Sequence, residues 1–234
     1  MSNTTLLHEL IALSANSSPG TIALSHGGNL ISYGELLDEV TRFSSGLMHL
    51  GIQRGERVAI YLEKRFETVI ASFGTPAAGG VFVPLNPLLK AEQVGYILRD
   101  CNVRVLVTSP ERLALLRETL PACRDLRHIV ILDSAAPLPT IDGLNPCRWR
   151  DLLAAPSMPG HRVIDTDVVS ILYTSGSTGK PKGVVLSHRN MVAGAKSVAS
   201  YLENRADDTL LAALPLSFDA GFSQLTTAFH AGAR

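Results

Sequence analysis

Short apolar runs alternate with amphipathic segments along the chain as far as residue 132. The β-branched and apolar runs, which are typical of strands, cover residues 21–25, 30–33, 58–62, 81–84, 103–108 and 129–132. Between them, apolar residues recur at helical spacing in segments that begin near residues 6, 35, 66, 90 and 110. Because strands and helices alternate, the pattern predicts an α/β fold in which mostly parallel sheets are flanked by helices.

Capping and turn signals support these boundaries. Ser32 and Glu35 form an S-x-x-E capping box in front of the apolar stripe of the second helix. Gly51 follows that stripe, as expected at a helix C-terminus. Gly27 and Gly28 lie between the first two runs and therefore predict a β-hairpin.

A proline-rich stretch at about residues 134–167 interrupts the alternation. We predict a surface excursion there, with at most one short helix at residues 149–153, within a single unit that covers residues 1–234. The alternation then resumes as a strand at 168–173, a helix at 189–202, a strand at 210–214 and a final helix.

Composition narrows the functional class. Apolar residues make up 46% of the 234 residues and charged residues 18%, as in a globular protein. Lys plus Arg and Asp plus Glu both number 21, so the sequence gives little support for a nucleic-acid or membrane-surface role. The three cysteines lack metal-ligand spacing, and no apolar run approaches the roughly 20 residues that span a bilayer. The N-terminus does not resemble a signal peptide, and we expect a cytoplasmic protein.

The segment from Thr174 to Gly183 contains only Ser, Thr, Gly, Pro and Lys, and apolar runs flank it on both sides. Glycines let backbone N–H groups approach a ligand, hydroxyls add donors, and lysines neutralise charge, so the segment predicts a phosphate-binding loop between two buried strands. It matches neither the Walker A pattern nor G-x-G-x-x-G. Ser175 lacks a G-x-S-x-G context, which excludes a hydrolase nucleophile elbow.

The string YTSGSTGKPKG in this segment resembles the signature loop of the adenylate-forming (AMP-binding) superfamily, which includes acyl-CoA synthetases and peptide-synthetase adenylation domains. Three further motifs follow the order of that superfamily: ISYGEL, GTPAAGGVFVPLNP and LPLSFDAGF. The resemblance covers essentially the whole chain and implies the N-terminal part of the superfamily's fold.

The resemblance also implies residue roles. Lys182 is the candidate catalytic residue, which neutralises phosphate charge, and Ser177 is a candidate Mg²⁺ ligand. Lys180 is as well explained as a solvated loop charge. The residues implied to bind the phosphates of ATP are Thr174, Ser175, Gly176, Ser177, Thr178, Gly179 and Lys182.

In the last motif, Asp219 matches the position where amino-acid-activating relatives bind the substrate ammonium, and Phe218 is a weaker candidate for contact with the acyl group. The alternatives are a helix N-cap for Asp219 and a core position for Phe218. His188 is more simply structural than functional, and Asp165 and Asp167 are more simply solvated than catalytic.

The implied activity is ATP-dependent conversion of a carboxylic acid to an acyl-adenylate, with release of pyrophosphate and transfer of the acyl group to coenzyme A or to a carrier-protein phosphopantetheine. The superfamily's C-terminal lid domain and its catalytic lysine are not found in this sequence. The alternatives are therefore a non-catalytic ATP-binding fragment or one half of a split enzyme, with a partner that supplies the missing half.

Overall fold

The fold is known from a computed structural model, which describes residues 4–174 and 181–234. Its strands are β1 (Ile22–His26), β2 (Asn29–Ser32), β3 (Arg57–Tyr61), β4 (Val81–Pro84), β5 (Val103–Thr108), β6 (His128–Ile131), β7 (Asn145–Arg148), β8 (Val168–Thr174) and β9 (Lys182–Ser187). Its helices are α1 (Glu9–Ser17), α2 (Tyr33–His49), α3 (Phe66–Ala78), α4 (Ala91–Asp100), α5 (Pro110–Leu116), α6 (Trp149–Leu153), α7 (His188–Tyr201) and α8 (Asp219–Ala231). None of the helices in the described residues is both long and apolar enough to cross a membrane.

Seven strands form one sheet in the order β7-β6-β5-β3-β4-β8-β9. All neighbours in it are parallel except β8 and β9, which form an antiparallel pair. β1 and β2 form a separate antiparallel hairpin, as predicted. The α/β class and the mostly parallel sheet are therefore confirmed.

Helices cover both faces of the large sheet. On one face, α2, α3, α6 and α8 pack around an aromatic cluster in which the ring of Phe222 lies 5.7 Å from Phe73 and 4.9 Å from Phe82. On the other face, α4 and α5 cover β3, β5 and β6. Because the central strands are buried on both faces, they read as continuous apolar runs in the sequence.

Caps fix where two of these helices start. The predicted box is present, since Ser32 Oγ accepts from the backbone N of Glu35 at 3.3 Å and Glu35 Oε2 accepts from the backbone N of Ser32 at 2.8 Å. Ser187 and Asn190 make the same arrangement at the start of α7. This second box fixes the turn from β9 into α7, directly after the glycine-rich segment.

The proline-rich stretch contains more structure than expected. α6 is where we predicted a short helix, but β7 precedes it and pairs with β6 along the edge of the sheet. Pro146 lies in β7, and an edge strand tolerates proline because one side of it needs no hydrogen-bond donor. The Arg148 guanidinium donates to the carbonyls of Ser134 and Ala136 and ties the preceding loop to this edge.

Two other predictions were wrong. Residues 210–214 do not form a strand, and the side chain of Gln224 instead binds the backbone of Leu211 and Leu214. β9 is a strand but is not buried, because Val184 is 46% exposed and Val185 58% exposed. Consecutive strand residues point to opposite faces, so the middle of β9 is exposed on both faces in the described structure.

Candidate functional site

The two ends of the glycine-rich segment face each other across the β8–β9 pair. Thr174 is the last residue of β8, Lys182 is the first residue of β9, and the two are partners in the antiparallel register. Both side chains are exposed, and among the described residues Lys182 makes no ion pair. The register therefore places a hydroxyl-bearing residue and a lysine opposite each other at the base of the β8–β9 pair.

The remaining predicted phosphate-binding residues lie outside the described residues. They are Ser175, Gly176, Ser177, Thr178 and Gly179, and Ser177 is also the predicted Mg²⁺ ligand. Within the described ranges, no three His, Cys, Asp or Glu side chains come close enough together to hold a metal ion.

The sheet's strand order creates a crevice at the carboxyl ends of β3 and β4. The chain leaves β3 into α3 on one face, whereas it leaves β4 into α4 on the other face. Loops that diverge from adjacent parallel strands in this way open the space where α/β proteins bind ligands. A cavity of about 350 Å³ occupies this position, between the residues after both strands and the 213–217 segment.

Most of the cavity wall is apolar, including Ile60, Leu62, Leu85 and Leu216. Among its polar residues, Ser217 is 5% exposed, and its buried Oγ has no hydrogen-bond partner among the described residues. An unpartnered buried hydroxyl is costly to the folded state.

Two cations hold the cavity walls in place. The Arg112 guanidinium donates to the Pro87 carbonyl at 2.7 Å and to the Glu63 carboxylate at 2.8 Å, and it lies 4.8 Å from the centre of the Tyr61 ring. The Lys64 ammonium donates to the Ala212 carbonyl. Sequence reasoning missed these side chains. The sequence indicates only that these residues follow predicted parallel strands. Whether such residues line a ligand site depends on the strand order, which the sequence does not specify.

The predicted acid-binding residues lie at the start of α8. Phe218 is the N-cap residue and is 39% exposed, so it is not a core residue. Asp219 is the first helical residue and is also exposed, so the interpretation of Asp219 as the N-cap is wrong by one position. Its carboxylate still lies in the first turn, where it interacts favourably with the helix dipole. Gly221 lets this turn pack against the carbonyl of Pro215, where a Cβ would collide.

Comparison with known proteins identifies this arrangement. The family profile described as AMP-binding enzyme matches residues 11–234. The chain belongs to the AMP-binding enzyme family. The resemblance read from the signature segment is thereby confirmed.

Relatives within the AMP-binding family include both a synthase subunit and a CoA ligase. Surfactin synthase subunit 2 of Bacillus subtilis (strain 168) is 28% identical over 228 residues, which are 97% of this chain and 6% of that protein. Crotonobetaine/carnitine–CoA ligase of Escherichia coli is 32% identical over 225 residues, which are 95% of this chain and 42% of that protein.

A solved structure extends the likeness to the fold. The anthranilate CoA ligase AuaEII, in complex with anthranoyl-AMP, superposes with a TM-score of 0.89 at 26% identity, over 97% of this chain and 44% of that one. The present chain therefore spans less than half the length of these AMP-binding relatives.

The polar residues that flank the signature segment serve the fold. His188 is 1% exposed, and its Nδ1 accepts a hydrogen bond from the backbone N of Leu7 at 3.0 Å. The Asp165 carboxylate pairs with Arg189 at 2.8 Å, and this hydrogen bond lowers the pKa of Asp165. Asp167 pairs with Arg54 at 2.8 Å. These contacts support a structural role for His188, whereas the two aspartates are paired rather than freely solvated.

Proposed function

We propose that this chain supplies the phosphate-binding hairpin of an enzyme that activates a carboxylic acid with ATP. The reaction joins the acid to the α-phosphate as an acyl-adenylate and releases pyrophosphate, and a thiol then takes the acyl group. Membership of the AMP-binding family supports this reaction class. The similarity to a structure that holds anthranoyl-AMP supports the adenylate intermediate.

The pairing of Thr174 with Lys182 is the observation that carries the proposal. When the carboxylate attacks the α-phosphate, negative charge accumulates on the departing pyrophosphate. A positioned ammonium and positioned hydroxyl and backbone N–H groups stabilise that charge without reorganising. We assign Lys182 to charge neutralisation and Thr174, with residues 175–179, to hydrogen bonding of the phosphates.

Magnesium fits this assignment as the counter-ion of ATP. A hard cation prefers oxygen ligands, and it is commonly held by substrate phosphates with few protein ligands. We propose the Ser177 hydroxyl as the ligand that the chain contributes, and Mg²⁺ would supply further neutralisation of the phosphate charge.

The acid is proposed to approach from the start of α8. An amino acid would place its ammonium against Asp219, whereas a fatty or aryl acid would use the exposed ring of Phe218 and the apolar cavity beyond it. An exposed carboxylate in a first helical turn is available for such an ion pair. Pyrophosphate exchange with fatty, aryl and amino acids distinguishes these classes of substrate.

The proposed thiol acceptor is coenzyme A or the phosphopantetheine of a carrier protein. The name of the Escherichia coli relative supports coenzyme A. The similarity to a synthase subunit keeps the carrier protein as the second candidate. Three free cysteines fit a reducing compartment, so we also propose a cytoplasmic location.

Exchange of labelled pyrophosphate into ATP tests the proposal directly. We expect acid-dependent exchange with at least one member of a panel of fatty, aryl and amino acids, and its loss in the Lys182→Ala variant. An Asp219→Asn variant should lose exchange with amino acids only. Absence of exchange with every acid would refute the catalytic proposal for this chain.

An ATP-binding role without catalysis is the second candidate, because the paired Thr174 and Lys182 are residues suited to bind phosphate whether or not a reaction follows. Binding of ATP without exchange would favour that role. Exchange restored by adding a second polypeptide would favour one half of a split enzyme.

A further inference from the structure

Tyr173 occupies a special position, one residue before the glycine-rich segment. Its phenol is 8% exposed, and its hydroxyl donates to Asp100 Oδ2 at 2.6 Å. Burial, and then the Asp100 carboxylate, raise the pKa of Tyr173, so the phenol keeps its proton and remains a donor. The bond links the end of β8 to the end of α4, across 73 residues of sequence.

The ring of Tyr173 also crosses to the other end of the segment. Tyr173 and Gly183 are partners in the β8–β9 register. A Cβ at position 183 would lie 3.2 Å from Tyr173 Cζ and 2.7 Å from Ile171 Cγ2. The clash with Ile171 Cγ2 requires glycine at position 183, and the Tyr173 ring lies tightly beside the backbone of the opposite strand there.

Asp100 is poorly placed for the stability of its own helix. It is the last residue of α4, where the helix dipole disfavours a carboxylate. A charge-assisted hydrogen bond to the Tyr173 hydroxyl offsets that cost. The partner therefore explains an acidic residue that the helix alone would not favour.

We propose that Tyr173, Gly183 and Asp100 form a clasp that positions Thr174 and Lys182, the two ends of the glycine-rich segment, for phosphate. Tyr173 precedes Thr174, and Gly183 follows Lys182. The Tyr173 side chain contacts both strands, and its hydrogen bond to Asp100 connects it to α4. Tyr173 and Asp100 are thus positioning residues, which act through their neighbours. The inference rests on the proposed function, because it assigns the clasp to ATP binding.

Calorimetric titration of ATP into the 234-residue chain tests the positioning role. A hydrogen bond to a charged group is strong enough that its loss should weaken ATP binding roughly tenfold in Tyr173→Phe and in Asp100→Ala. Asp100→Asn should stay within about twofold of the original chain, because its amide oxygen still accepts. The double variant Tyr173→Phe/Asp100→Ala should be no weaker than either single variant, since both remove the same bond.

Tyr33→Phe is the matched control. It removes a buried hydroxyl that donates to the Ala233 carbonyl at 2.6 Å, and Tyr33 lies in the core on the opposite face of the sheet from Tyr173. We expect it to lower the melting temperature and leave the ATP affinity unchanged. Equal losses of ATP affinity in Tyr33→Phe and Tyr173→Phe would overturn the positioning role.

Hydrogen exchange without ATP separates this inference from the proposed function. Tyr173→Phe and Gly183→Ala should speed exchange of the amides of residues 182–184 roughly tenfold and leave β5 unchanged. Unchanged exchange would overturn the clasp, whether or not the chain binds ATP. Faster exchange with an unchanged affinity in a chain that binds ATP would overturn the positioning role. Failure of the original chain to bind ATP would refute the proposed function alone, and faster exchange would then still support the clasp.

Discussion

At the scale of single residues, His188 shows how a polar side chain beside the signature segment stabilises the fold. Its Nδ1 accepts a hydrogen bond from the backbone N of Leu7, and its ring lies 6.1 Å from that of His8. Burial, and then the neighbouring His8, lower the pKa of His188 to about 4, although Asp167, Glu9 and Asp165 oppose this shift. The neutral ring is needed because a protonated Nδ1 cannot accept the bond from Leu7.

This histidine makes stability depend on pH. In the unfolded chain it takes up a proton near pH 6.5, whereas in the folded chain it stays neutral until about pH 4, so acidification between these values favours unfolding. We expect the free energy of unfolding to fall by about 2 kcal/mol more between pH 7 and pH 4.5 in the original chain than in His188→Asn.

Urea denaturation at a series of pH values measures this difference. Parallel stability curves for the original chain and His188→Asn across the interval would show that His188 does not stay neutral in the fold.

At the scale of elements, two helical glycines experience opposite surroundings. A Cβ at Gly46 in α2 would lie 2.5 Å from both Cγ and the carbonyl oxygen of Leu152 on α6. A Cβ at Gly194 in α7 would meet nothing within 4 Å. The first glycine allows α2 and α6 to approach closely, whereas the second only adds flexibility to the unfolded chain.

Alanine at these two positions should therefore change stability in opposite directions. We expect Gly46→Ala to lower the free energy of unfolding by about 1–3 kcal/mol, because α6 must shift. Gly194→Ala should raise it by about 0.5–1 kcal/mol, because alanine favours the helix and restricts the unfolded chain. Urea denaturation of both variants measures the two changes, and a shared sign would contradict this account of the α2–α6 contact.

The elements that could be predicted from sequence are those whose local pattern and burial agree. β4, β5 and α3 are buried and have clear signals, and the structure has them at the predicted bounds. β9 has the same apolar pattern as a buried strand, but Val184 and Val185 in its middle are exposed in the described structure, and coverage is a tertiary property. β7 was missed because a short edge strand with a proline has no periodic signal.

At the scale of the whole molecule, one part of the candidate site could be predicted from the sequence and another part could not. The glycine-rich segment is one continuous string, so phosphate binding could be proposed for it from residue types alone, and that role stays a prediction. The cavity depends on β3 lying between β4 and β5. Only that strand order brings Glu63, Lys64 and Arg112 together in the cavity wall. No local pattern specifies strand order.

The whole account depends on phosphate binding at the base of the β8–β9 hairpin. Calorimetric titration of ATP and of adenosine into the original chain and Lys182→Ala tests this most directly, with the exposed Lys90→Ala as control. We predict that ATP binds more tightly than adenosine. Lys182→Ala should weaken ATP binding about tenfold and leave adenosine binding unchanged. Lys90→Ala should bind both ligands as the original chain does. Equal affinities for ATP and adenosine, or an ATP affinity that Lys182→Ala does not alter, would contradict it.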